Sequence, residues 1–235
     1  TPLYSSAASD VYKRQVVILR AAGVPAGAVQ LLPGRGETVG AQLVASPGIR
    51  GVMFTGSTDV ARIIARTLAD RLDDDGHTIP LIAETGGQNA MVVDSSALSE
   101  QVVFDVLSSA FDSAGQRCSA LRVLCVQEDN ADHVLTMLRG AMRELSVGNP
   151  DRLSVDVGPV IDTEARNGIQ RHIDAMRTAG HRVDQGELNS ECRQGTFVAP
   201  TIIEIDTVSE LTREVFGPVL HLSLIHISEP TRPER

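Results

Sequence analysis

The chain has 235 residues, enough for one large domain or two modest ones, and its 42% hydrophobic content can supply a core. No apolar run approaches the roughly 20 residues of a membrane span, and the N-terminus lacks signal-peptide character, so a soluble cytoplasmic protein is expected. With 30 acidic against 21 basic side chains, the net charge of -9 argues against a nucleic-acid partner, which requires clustered positive charge.

The first 15 residues differ in composition from the interior. They hold the chain's one lysine, Lys13, and both tyrosines, Tyr4 and Tyr12, whereas the interior uses arginine alone. One reading of Asp10 to Gln15 (DVYKRQ) is GAT GTG TAT AAG AGA CAG, whose reverse complement translates as LSLIHI, the sequence of Leu222 to Ile227. Both ends also resemble translated transposon adapters of sequencing libraries. Residues 1–15 and 222–235 are therefore set aside as adapter-like, and residues 16–221 are expected to be an incomplete piece of a longer protein.

From Val16 onward, short apolar runs alternate with helical patterns, which is the signature of an α/β fold with a largely parallel sheet. Val29 to Leu32 read as a strand, Pro33 to Gly36 as a turn and Glu37 to Ala45 as the start of a helix. Gly51 to Thr55 form the next strand, and Gly56 and Ser57 a turn. Val60, Ile63, Ile64, Thr67, Leu68 and Leu72 then fall on one helical face. Asp73, Asp74, Asp75 and Gly76 read as a solvated loop, and no metal is expected there.

Ile79 to Ala83 and Ala90 to Val93 are strands flanking Glu84, Thr85, Gly86 and Gly87. A helix with Val102, Val103, Val106, Leu107 and Ala110 inward leads to the segment SAGQRCSALRVLCV, whose second half, Leu121 to Val126, is again a strand. Two further helices carry Val134, Leu135, Leu138, Met142 and Leu145, then Ala165, Ile169, Ile173 and Met176.

The three cysteines form neither a disulfide framework nor a zinc motif, so each is read alone. Cys125 lies in an apolar strand and reads as core. Cys192, among Glu191, Arg193 and Gln194, reads as an exposed bystander. Cys118 follows Ser113, Ala114, Gly115 and Gln116, which let the backbone approach a ligand, and Arg117 and Arg122 would favour its thiolate. A free cysteine is also often a small buried hydrophobe, and both readings stay open on the residue alone. Glu84, at the end of an apolar strand, suits a general base whose pKa is set by burial, or equally a carboxylate capping backbone amides.

Four segments then share an order. FTGSTDVA (Phe54 to Ala61), ETGGQNA (Glu84 to Ala90), GQRCSALR (Gly115 to Arg122) and EVFGPV (Glu214 to Val219) resemble, in sequence and succession, motifs of the aldehyde dehydrogenase superfamily. Thr85 and Gln88, where general members carry leucine and lysine, make the chain look most like the glutamate-semialdehyde (1-pyrroline-5-carboxylate) dehydrogenases, in bacteria a module of a bifunctional proline-utilisation enzyme.

The resemblance implies a fold with a Rossmann-type NAD-binding part and an α/β catalytic domain, both incomplete: residues 16–83 and 84–221 respectively. It implies oxidation of L-glutamate γ-semialdehyde to L-glutamate with NAD, Cys118 being the nucleophile and Glu84 the base that activates water. The backbone N–H of Cys118 would help hold the oxyanion, together with an asparagine that the family places upstream of Val16.

Ser119 takes the position that helps hold the substrate carboxylate, although a loop hydroxyl bonded to its own backbone is an equal reading. Gly56 and Ser57 open a helix toward the cofactor pyrophosphate. Glu214 and Phe216 would hold the nicotinamide ribose and pack beside the ring. Gly34, Arg35 and Gly36 read as turn formers near the cofactor rather than a dinucleotide fingerprint. The resemblance further implies a homo-oligomeric parent, a fused proline dehydrogenase module, and little turnover by this chain on its own. The rival readings are another aldehyde or semialdehyde dehydrogenase of the superfamily and a non-catalytic protein on the same scaffold.

Overall fold

The structure, a computed structural model, describes residues 4–225. Of the adapter-like ends, residues 1–3 and 226–235 lie outside the described residues. Residues 4–15 run on into the first helix, and residues 222–225 form the end of the last strand. The chain divides into two compact units between Gly86 and Gly87, three residues beyond the boundary expected from the sequence.

The first unit contains helix α1 (Tyr4–Ala21), a short π-type turn (Gly36–Gly40) running into α2 (Ala41–Ala45), strand β1 (Val52–Gly56), helix α3 (Thr58–Ala69) and strand β2 (Leu81–Thr85). The strands are parallel, as a crossover helix requires, with Thr55 opposite Glu84 and Met53 opposite Ile82. Strand alternation divides them into two faces. Val52, Phe54 and Leu81 pack toward Ile64, Leu68 and Ile79, while Met53 and Ile82 are exposed on the other.

Helix α3 forms where the sequence places it, but it buries Ala61, Ile64 and Leu68 and leaves Val60 and Ile63 of the expected face exposed. Its apolar residues recur at helical spacing, and the Ser57 hydroxyl caps its first turn by accepting from the Val60 N–H. Leu72 lies beyond its end, in a bridge with Thr78. The strand expected at Val29 to Leu32 does not form. Among the described residues no other strand pairs with it, and an unpaired strand leaves its backbone groups to water.

The second unit is a five-stranded sheet in the order β3-β4-β7-β6-β5, comprising β3 (Ala90–Val93), β4 (Val123–Gln127), β5 (Val183–Gln185), β6 (Thr201–Ile205) and β7 (Val219–Ile225). All neighbouring pairs are parallel except β5 with β6 at the edge. Helices α4 (Ser99–Phe111), α5 (Glu128–Arg143) and α6 (Thr163–Thr178) supply the stripes read from the sequence. Val102, Val106, Val134, Leu138, Ile169 and Ile173 join Leu124, Ile202 and Leu220 in one core.

Cys192 departs from its expectation and is buried, at 4% exposure. Asn189 explains it. That side chain accepts from the N–H groups of Glu191 and Cys192 and donates to the Val147 carbonyl, so the turn Ser190–Gln194 folds its thiol inward while its charged neighbours face out.

Candidate active site

Cys118 is exposed on the loop between α4 and β4. The loop begins with three consecutive left-handed residues: Ser113 and Ala114 at φ 55° and Gly115 at φ 65°. L-residues avoid this region because Cβ crowds the following carbonyl, so something outside the segment must hold it.

Four side chains do so. Asn89, just before β3, donates to the carbonyls of Cys118 at 2.7 Å and Ala120 at 2.9 Å. Gln116 donates to Ser113 and Pro159 carbonyls and accepts from the Ile161 N–H. Arg117 Nε reaches the Ser113 hydroxyl at 3.1 Å. Arg122, fully buried at 0% exposure, donates to the carbonyls of Gly115 (2.7 Å), Arg117 (3.1 Å) and Gly217 (3.2 Å), and to Glu214 Oε1 from Nη2 (3.0 Å) and Nε (3.2 Å).

This alters two expectations from the sequence. Arg122 directs none of its donors at the Cys118 thiol; its charge is paired with Glu214 and its remaining donors meet main-chain carbonyls. Burial lowers its pKa, and the Glu214 carboxylate opposes that shift. Gly115 does bring the backbone close to something, namely the Gly217 carbonyl, which a Cβ on Gly115 would approach to 2.2 Å.

Ser119 is exposed, and among the described residues its hydroxyl makes no hydrogen bond, to its own backbone or otherwise. The N–H groups of Cys118 and Ser119 are likewise without a hydrogen bond among the described residues.

On the 214–217 segment, Glu214 has one oxygen anchored by Arg122, while Oε2 has no hydrogen bond among the described residues. Phe216 is 44% exposed, with the Arg122 guanidinium 5.1 Å from its ring centre. A carboxylate with one oxygen fixed and the other open, beside a half-exposed ring, fits a ribose and an aromatic base.

In the first unit, Gly56 ends β1 and Ser57 caps α3; both are exposed. The N–H groups of Thr58 and Asp59 have no acceptor among the described residues. Free N–H groups at the positive end of a 12-residue helix fit a phosphate. Glu84 lies within β2 opposite Thr55 and is exposed on the same strand face as Ile82, so the burial expected from its sequence context is not found. Asp73, Asp75 and His77 bring donor atoms within 4.8 Å of one another, but Asp73 Oδ1 already accepts from the N–H groups of Asp75 and His77 and so closes the loop on itself.

Asn89 has no role read from the sequence and Gln116 only a share in letting the backbone approach a ligand, although both lie inside the motifs ETGGQNA and GQRCSALR. Their signal was their place in those motifs; their task, holding main-chain carbonyls, needed the fold.

Each unit thus offers one feature on an α/β framework: N–H groups unpaired among the described residues at a strand-to-helix turn in the first, and an exposed cysteine on a pinned loop in the second. Residues 6–229 match the aldehyde dehydrogenase family, and the chain belongs to that family. It is 65% identical over 212 residues to the bifunctional protein PutA of Escherichia coli (strain K12), covering 88% of this chain and 16% of that one. It is 37% identical over 205 residues to a 1-pyrroline-5-carboxylate dehydrogenase of Bacillus mycoides (strain KBAB4), covering 86% of this chain and 39% of the relative.

A crystal structure of bifunctional proline utilization A superposes with a TM-score of 0.86 at 49% identity, covering 93% of this chain and 22% of that one. Betaine aldehyde dehydrogenase of Staphylococcus aureus, in complex with NAD+, superposes at 0.84 with 26% identity, covering 91% of this chain and 42% of that one. The fold is thus the mixed α/β fold of aldehyde dehydrogenases, and the chain spans about a sixth of the E. coli relative's length. Among the described residues no helix is long and apolar enough to cross a membrane.

Proposed function

We propose that this chain is the nucleophile-bearing segment of an NAD-dependent aldehyde dehydrogenase that oxidises L-glutamate γ-semialdehyde to L-glutamate in proline catabolism. The observation that carries the reading is the presentation of Cys118: an exposed thiol on a loop pinned by Asn89 and Arg122, with its own N–H unbonded among the described residues. Relatives named for 1-pyrroline-5-carboxylate and for bifunctional PutA support the substrate and a parent with a fused proline dehydrogenase module. The NAD+ complex of the betaine aldehyde enzyme supports the cofactor.

In this reading the Cys118 sulfur, as thiolate, forms a C–S bond to the aldehyde carbon, and the Cys118 N–H donates to the oxygen that becomes negative. Ser119 donates to the substrate's carboxylate. NAD, when bound, supplies the acceptor for the two electrons and the hydrogen that leave the carbon. Ser57 and the N–H groups of Thr58 and Asp59 would hold its pyrophosphate, Glu214 would accept from its ribose hydroxyls, and Phe216 would lie beside its ring.

Glu84 takes a proton from the water that attacks the Cys118 thioester. As the new C–O bond forms, the C–S bond breaks and the sulfur leaves as thiolate. None of these steps calls for a metal.

The test is a chimaera in which residues 16–221 replace the matching segment of the full-length E. coli relative. NADH formation from L-glutamate γ-semialdehyde, abolished by Cys118→Ala, is expected. A chimaera that is folded yet forms no NADH from this aldehyde would sink the reading.

A further inference from the structure

Arg122 is the most completely engaged side chain near the nucleophile. A guanidinium has five N–H donors in one plane, and here each has an acceptor: Nε on Glu214, Nη1 on Gly115 and Gly217, Nη2 on Arg117 and Glu214. The acceptors come from two stretches far apart in sequence, the loop that leads to Cys118 and the segment bearing Glu214 and Phe216. A buried charge persists only if it is paired and its donors are met, and Arg122, at 0% exposure, satisfies both conditions. The two stretches also touch directly, since Gly115 leaves no room for a Cβ against the Gly217 carbonyl.

We propose that Arg122 is the positioning residue of this site, its one guanidinium setting both the main chain that presents Cys118 and the carboxylate and ring that receive the nicotinamide ribose. The inference rests on the function proposed above. Arg122 touches no reacting atom: it acts through Gly115 and Arg117 on the thiol side and through Glu214 and Phe216 on the cofactor side. Lysine cannot replace it, because an ammonium has three donors without the planar fork that spans four residues.

The chimaera tests this with Arg122→Lys and Glu214→Gln. Arg122→Lys is expected to raise the KM for NAD and lower kcat, each on the order of tenfold, the scale of a lost charge-assisted hydrogen bond, with the KM for the aldehyde unchanged. A merely structural role would reduce the active fraction and so lower kcat alone. Glu214→Gln is read without cofactor, as the rate of Cys118 alkylation by iodoacetamide. Loosening Arg122 from its carboxylate should change that rate several-fold, whereas a glutamate serving only the ribose would leave it as it was.

An unaltered alkylation rate in Glu214→Gln, or unaltered KM and kcat in a folded Arg122→Lys, overturns the proposal. If Arg122→Lys does not fold, the Glu214→Gln arm decides alone. An unmutated chimaera that forms no NADH overturns the function instead, and the alkylation arm still decides on Arg122.

Discussion

His221 provides a prediction whose size is set by the structure. On β7 its ring is 1% exposed, with Nε2 2.8 Å from His172 Nε2 and Nδ1 3.2 Å from the Arg122 carbonyl. The carbonyl can only accept, so His221 carries its proton on Nδ1 and its Nε2 accepts from His172. Burial lowers the His221 pKa from 6.5 to about 4, aided by the charge His172 would carry and by Arg122, and opposed by the bond to the Arg122 carbonyl. His172 is also lowered, by burial and by Arg213.

A histidine whose folded pKa lies below its unfolded value binds fewer protons folded than unfolded between the two, so stability rises with pH across that window and is lost as pH falls. Above about 6.5 the term vanishes. By pH 4 it has grown to about 3 kcal/mol, the gap between 6.5 and about 4 at roughly 1.36 kcal/mol per unit. Urea unfolding of the chain and of His221→Gln at pH 7 and near pH 4 measures it, because the variant keeps every other titrating group. The unsubstituted chain should lose about 3 kcal/mol more than the variant. Equal losses, or a His221 ring resonance that titrates near 6.5 in the folded protein, would refute the reasoning.

Gly115→Ala would set a Cβ 2.2 Å from the Gly217 oxygen and 2.8 Å from the Ala110 oxygen, at a φ of 65°. Left-handed strain and overpacking together should cost about 2–5 kcal/mol in urea unfolding. Gly140→Ala, in the last turn of α5 with nothing within 4 Å, is the control and should stabilise by about 0.5–1 kcal/mol; a destabilised control or a neutral Gly115→Ala refutes the pair. Asn89→Ala removes the donors to the Cys118 and Ala120 carbonyls and should cost about 1–3 kcal/mol. It should also change the rate of Cys118 alkylation, and an unaffected rate would mean the loop is held without Asn89.

Local pattern carried much of the second unit. Strand β3 spans the residues read for it, and α4, α5 and α6 arise from apolar residues three or four apart, because one helical face must be buried whatever covers it. Where pairing or burial is decided by distant chain, the sequence alone misled. Val29 to Leu32 have a strand's composition and no partner among the described residues. Cys192 has charged neighbours and is buried because Asn189 turns the chain. Arg122 reads as a surface cation next to a nucleophile, yet its acceptors at Gly217 and Glu214 lie more than 90 positions further on. The candidate site residues stand in the sequence as a succession of motifs; how Arg122, Asn89 and Gln116 hold the loop does not, since nothing local requires those contacts.

The thiol loop makes the reason physical. Ser113 and Ala114 have no intrinsic preference for the left-handed region, where each costs roughly 1–2 kcal/mol. Ala114 is nearly fully buried, and the carbonyl of the next residue, Gly115, is held by Arg122. The conformation is therefore imposed from outside, by a strand-leading arginine and an asparagine that precedes another strand, against the preference of the residues that adopt it. The carbonyls of Gly115 and Cys118 are held by Arg122 and Asn89, so the geometry that presents the thiol is set by the fold. Substitutions that remove those hydrogen bonds free the turn and the thiol together, so stability and the fixed presentation of Cys118 should be lost in the same variants.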